Sequence, residues 1–207
     1  VESLMALGRA HDALRMLRAI PEEERDAEVV ADMGLIQLEL GQRAEARRDL
    51  TRAEASRPGD PDTLAGLLVL DAAEGRTEES IRRIDAALLV RPGDAALHRV
   101  RALAAAAAGR DAEAAEHFQQ ALALDPSDGR SAMELAGLQA RNGRPLEALG
   151  TYERALAASP SDADLHAARA SLLLAQGDRE AAIESYEAAI GSSATHAAAR
   201  NELAYLL

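Results

Sequence analysis

Apolar residues fall along the chain in short stretches at helical spacing, interrupted at regular intervals by glycine and proline. In residues 27–60, Val30, Met33, Leu35, Ile36, Leu38 and Leu40 predict a helix with a broad buried face. Gly41 stops it, because glycine accepts the left-handed conformation that closes a helix C-terminus. A second helix is predicted over about 44–55, with Ala46, Leu50 and Ala53 on one side. Arg57-Pro58 ends it, since proline disfavours helical geometry in the residue before it. Asp60 is then placed to cap the next helix through its side-chain oxygen.

The same pattern recurs along the chain. Gly8, Gly41, Gly75, Gly109, Gly143 and Gly177 are spaced 33, 34, 34, 34 and 34 residues apart. Pro58, Pro92, Pro126 and Pro160 repeat at 34, each 17 residues after a glycine, and Asp94, Asp128 and Asp162 fall where Asp60 does. Ala194 replaces the proline at the next position, so that turn is less sharply specified. A constant period of this length marks a stack of identical helix pairs. The expected organisation is one all-α solenoid over 1–207. It comprises a partial repeat at 1–26, full repeats at 27–60, 61–94, 95–128, 129–162 and 163–196, and the start of another at 197–207. A single helix pair cannot bury its apolar face, whereas stacked neighbours make the core continuous.

Composition agrees with helix and narrows the chemistry. The chain is 48% hydrophobic with 2% aromatic residues, so alanine and leucine, both strong helix formers, carry the apolar content. A net charge of −12 argues against a nucleic-acid surface, which needs clustered positive charge. All 23 basic residues are arginine. Without lysine there is neither a Walker-type phosphate loop nor a Schiff-base nucleophile. Arginine in place of lysine, with abundant alanine, points to a GC-rich bacterial genome. The absence of cysteine excludes disulfides and thiolate metal sites but leaves cytoplasm and periplasm equally open. Apolar stretches such as 102–108 are too short to span a bilayer, so no membrane insertion is expected.

These spacings resemble the tetratricopeptide repeat. Counted from Ala27, Pro61, Ala95, Gly129 and Ala163, the eighth position reads Gly34, Leu68, Ala102, Ala136 and Ala170. The twentieth reads Ala46, Ser80, Ala114, Ala148 and Ala182, and the twenty-fourth Leu50, Ile84, Phe118, Tyr152 and Tyr186. The twenty-seventh is alanine in every unit: Ala53, Ala87, Ala121, Ala155 and Ala189. Small residues there let helix axes approach closely. The resemblance implies an α-solenoid of stacked antiparallel helix pairs, wound as a right-handed superhelix. Leu68 departs from it by size. His98/Arg101 and His166/Arg169 occupy positions that are usually apolar, which predicts slightly rotated helices with Leu97, Val100 and Leu103, or Leu165, Leu172 and Leu173, as their core. Neither end carries a polar cap, so the chain reads as a segment of a longer array that self-associates through Leu206, Leu207 or the truncated first helix.

No arrangement of residues carries catalysis, metal or cofactor binding. His98 and His166 sit two units apart, roughly 20 Å at ~10 Å per helix layer, too far to share a metal. They read as helix-interface histidines, and His11, His117 and His196 lack a shared spacing. Asp162 and His166, one turn apart, read as a cap and an interface residue. Glu22–Glu24 reads as a solvated helix start, and Ala104–Ala108 as close helix packing.

The resemblance further implies an inner, concave groove lined by the second, fifth, ninth and twelfth positions of each first helix. Among these are Asp62, Arg99, Leu103, Arg130, Met133 and Asp164: an apolar floor, acidic ends and two central arginines. Chaperone-binding members of the family grip a carboxylate terminus with lysine and asparagine. Those residues are missing here, so that specificity does not carry over. The expected function is a non-catalytic scaffold holding a protein or peptide partner, with Met133 either adapting to it or filling the core. Two further roles of such arrays are a periplasmic scaffold for polysaccharide or protein export, and the substrate-recognition arm of a larger enzyme such as a glycosyltransferase or sulfotransferase.

Overall fold

Among the described residues, each predicted glycine stop and aspartate cap bounds a helix. In the structure, a computed structural model that describes residues 9–206, no strand occurs among the described residues. The chain divides into two compact units, Val1–Gly109 and Arg110–Leu207. The first contains α1 (Ala10–Arg18), a 3-10 turn (Glu22–Glu24), α2 (Ala27–Glu39), α3 (Arg43–Ser56), α4 (Pro61–Ala73), α5 (Thr77–Val90) and α6 (Ala95–Ala107). The second contains α7 (Asp111–Leu124), α8 (Gly129–Arg141), α9 (Pro145–Ala158), α10 (Ala163–Ala175), α11 (Arg179–Ser192) and α12 (Ala197–Leu206).

The starts of α2, α4, α6, α8 and α10 are capped by Asp26, Asp60, Asp94, Asp128 and Asp162, whose carboxylates accept the amide of the third helical residue. These helices end where Gly41, Gly75, Gly109, Gly143 and Gly177 take φ between 70° and 85°. That conformation lets the next amide reach back to the last turn: Gln42 N donates to Gln37 O at 2.8 Å, and Arg76 N to Asp71 O at 2.7 Å. Gly8, the first of the series, lies outside the described residues.

Within each unit every helix packs on its chain neighbour, and alternate helices also meet: α2 with α4, α4 with α6, and α8 with α10. The five alanines of the twenty-seventh position are all buried. Leu50 shows the closeness that small residues permit. A Cβ on Gly34 would lie 2.7 Å from Leu50 Cγ, and one on Gly66 2.8 Å from its Cδ1. Leu68 is accommodated in a cluster with Leu64, Ile81, Ile84 and Val100.

The expected rotation of α6 and α10 needs correction. Leu97, Val100 and Leu165 are fully buried and Leu173 is 7% exposed, but Leu103 and Leu172 are only half-buried. His98, an interface residue as expected, and Arg101 are themselves buried, at 9% and 5% exposure. Their polar ends reach partners while their carbon skeletons pack: His98 Nε2 lies 3.0 Å from Pro92 O, and Arg101 Nε donates to Asp85 Oδ1 at 2.6 Å.

Leu206 also differs from expectation. Leu206 is 4% exposed, clustered with Ala170, Tyr186, Ala189 and Ala199, and its carbonyl accepts from the Arg179 guanidinium. It is therefore not a sticky end; the neighbouring Tyr205 is 87% exposed instead. Leu207 and the truncated first helix lie outside the described residues.

Candidate interaction surface

In the first unit α2, α4 and α6 lie side by side, and their corresponding positions form rows. The ninth position of each supplies Leu35, Val69 and Leu103, of which Val69 is 55% exposed and the other two half-buried. Leu35 and Leu103 pack their inner sides on the core and turn the remainder outward. At the start of α2 and α4 this face opens into a cleft of about 330 Å³, where Glu28, Asp32, Asp60 and Asp62 face a single Arg57. Arg57 Nη1 lies 3.9 Å from Glu28 Oε2 across its rim, and Asp60 is committed to the α4 cap. Of the sequence-derived candidates, Asp62 is exposed in this cleft, whereas Arg99 and Leu103 are half-buried along α6.

The corresponding face of the second unit is smaller and more polar. Arg130 is exposed in the first turn of α8, and Met133 is half-buried against Ala132, Ala136 and Tyr152. Met133 thus contributes to the core whatever else it touches. Asp164, exposed on α10, lies 3.0 Å from His196 Nε2. The ninth position holds Gly137 and Ser171, whose hydroxyl donates to Ala167 O at 3.0 Å and stands 3.0 Å from the Tyr186 hydroxyl.

The two histidines suspected as a pair each serve a turn. His166 Nε2 lies 2.9 Å from Pro160 O, repeating the His98–Pro92 contact in the second unit. Among the described residues no group of three or more His, Asp or Glu side chains converges as a metal site, and no helix is long and apolar enough to cross a membrane.

Hydrophobic periodicity missed the polar ties between paired helices, because it marks only which face is inside. Three of them join the eleventh and twenty-third positions, twelve residues apart: Gln37 Nε2 to Asp49 Oδ2 at 2.8 Å, Arg83 Nη1 to Asp71 Oδ2 at 2.6 Å, and Thr151 Oγ1 to Gln139 Oε1 at 2.9 Å. Asp71 is fully buried and also accepts from Ser80 Oγ and Arg47 Nη1, each at 2.7 Å. Burial works to raise the Asp71 pKa, yet the hydrogen bonds of Ser80, Arg47 and Arg83, with the charge of Arg83, outweigh it and hold the value below its ordinary level. A spacing of twelve between polar residues was the signal available in the sequence.

A second latch closes the turn after α3. Glu54 accepts the Gly59 amide at 3.0 Å, and the Arg91 guanidinium donates to the Gly59 carbonyl. Gly59 holds φ at 81°, and an added Cβ would stand 3.0 Å from that of Ala87, so only glycine fits. Burial raises the Glu54 pKa, the amide and nearby arginines opposing it.

Sequence models of the tetratricopeptide repeat match residues 70–129, 112–163 and 163–196, together well over half of the chain. No curated protein sequence matches the chain. Among solved structures, the chain is similar to TTC0263, a thermophilic TPR protein of Thermus thermophilus. That match has a TM-score of 0.67 and 19% identity, covering 87% of this chain and 98% of that one. It is also similar to Pseudomonas aeruginosa pilF, with TM-score 0.63, 18% identity and coverage of 98% and 93%. A third is YrrB, described as a TPR protein with an unusual peptide-binding site, at TM-score 0.53, 18% identity and coverage of 89% and 95%. The glycine stops, the aspartate caps and the buried alanines of every repeat agree with these matches: the chain belongs to the tetratricopeptide repeat family.

Proposed function

We propose that this chain is a non-catalytic scaffold that docks a protein or peptide partner on the exposed face of its first helices. The tetratricopeptide fold itself supports a protein-interaction scaffold. The observation that carries the finer reading is the row Leu35, Val69 and Leu103. It leaves apolar surface facing outward on a helix layer whose opposite side already builds the core. In the second unit Arg130, Met133 and Asp164 are the corresponding contacts we assign. A fold relative described as peptide-binding supports this ligand class for the architecture.

The test uses photo-crosslinking side chains at Val69 and Gly137, with Leu146, exposed on α9, as the control position. A partner identified from the Val69 or Gly137 adduct and purified should bind Arg99→Glu or Arg130→Glu variants about tenfold more weakly, ~1.4 kcal/mol. Adducts only from Leu146, or unchanged affinity with unchanged helicity, overturn the reading.

A further inference from the structure

We infer that the first unit selects a cationic amphipathic helix, a partner chemistry that rests on the docking reading above. Charge comes first: the cleft beside Leu35 is lined by Glu28, Asp32, Asp60 and Asp62, with Arg57 as the guanidinium in its lining, and of these carboxylates Glu28 and Asp62 face outward. Asp62 is exposed and open to an arginine or lysine side chain of a partner, and Glu28, exposed too, is held only by the long contact to Arg57 that such a side chain would share or replace.

The shape of the partner follows from the spacing of the row, and two other ways of holding a peptide find no support in it. Strand addition needs an open sheet edge, and no strand exists among the described residues. Polyproline recognition needs an aromatic-lined groove, whereas the ninth-position row of α2, α4 and α6 is Leu35, Val69 and Leu103. An amphipathic helix laid across the row matches its spacing. Packed helices are spaced ~8–10 Å apart. At ~1.5 Å rise per residue, apolar residues at i, i+7 and i+14 recur every ~10.5 Å on one face of a helix. One such residue therefore meets each of Leu35, Val69 and Leu103, while basic residues flanking the first reach Glu28 and Asp62.

The probe is a synthetic helical peptide of about 20 residues, with leucines at i, i+7 and i+14 and arginines flanking the first. Its analogue carries glutamates in place of the arginines, and the full chain is titrated with each. The arginine peptide is expected to bind, to weaken with salt, and to lose about tenfold in affinity both to Glu28→Gln/Asp62→Asn and to Val69→Ser. Helicity by circular dichroism checks that each variant folds; Val69 is exposed enough for the change to leave the core intact. Equal binding of the glutamate peptide that is still lost in Val69→Ser overturns the cationic preference and leaves the docking face standing. Binding of the arginine peptide unchanged in Val69→Ser overturns the docking face itself. If neither peptide binds, the inferred partner class is wrong, and the crosslinking experiment alone judges the broader reading.

Discussion

Arg83 Nη1 stands 2.6 Å from Oδ2 of Asp71, tying α5 to α4 through a carboxylate with no exposed side-chain surface. With Arg47 on α3 and Ser80 on α5 also bound to it, this one side chain joins three helices. Its folded pKa lies below the unfolded value of about 3.9. The stabilisation is therefore complete above that value and is lost as pH falls through the folded one. The thermal midpoint should fall on acidification below about pH 4, with a shallower decline in Asp71→Asn. At neutral pH Asp71→Asn should cost about 1.5–3 kcal/mol, read by urea denaturation. Arg47 and Arg83 keep 26% and 35% side-chain exposure, so water partly solvates them when the carboxylate is gone.

His196 takes the place of the capping aspartates at the start of α12. Its Nδ1 accepts the Ala199 amide at 3.1 Å, and Nε2 lies 3.0 Å from Asp164 Oδ1, which selects the tautomer with its proton on Nε2. His196→Ala should fray α12 at a cost of about 0.5–2 kcal/mol, seen as faster hydrogen exchange at Ala199. His196→Asp should restore protection there only when combined with Asp164→Asn, which removes the facing charge.

Glycine-to-alanine changes should have opposite signs at two helical sites. Gly34→Ala drives a Cβ to 2.7 Å from Leu50 Cγ and 3.1 Å from its amide nitrogen. The expected cost is about 1–3 kcal/mol, larger than any gain in helix propensity. Gly150→Ala in α9 meets nothing within 4 Å and should stabilise by about 0.5–1 kcal/mol. Equal melting temperatures for the two would refute the packing account.

The tie between Gln139 and Thr151 predicts non-additivity. Thr151→Val leaves the Gln139 amide oxygen buried without this donor and should cost about 1–3 kcal/mol. Gln139→Leu/Thr151→Val should return close to wild type, because replacing both partners by apolar groups is nearly neutral. The repeat at 163–196 already has Leu173 at the equivalent position. A double variant as unstable as the sum of the singles would show that the bond is not what couples α8 to α9.

Much of the fold was legible because its punctuation is local. Gly143 and Asp128 act on the few residues beside them, so their spacing places α8 without knowledge of what it touches. The alanines at 53, 87, 121, 155 and 189 were legible for a related reason: close packing of successive units admits nothing larger. His98 was legible as a helix-interface residue, but its partner and that of Arg101 were not, because side-chain identity does not reveal where a distant acceptor waits. Asp85 and the Pro92 carbonyl allow both to be buried. The candidate surface was named only through the resemblance, as positions 2, 5, 9 and 12, and the difference between Val69, which projects, and Met133, which is half-buried on the core, was not legible.

The sequence by itself determined the helices, their ends, their pairing and the family, since helix stops, caps and the 34-residue period are written in neighbouring residues. Only the tertiary structure decided how buried charge is satisfied, that Leu206 is sheltered, and that carboxylates from two helices share the cleft beside Leu35. Those outcomes depend on side chains brought together from separate turns of the chain, and one-dimensional periodicity carries no information about such meetings.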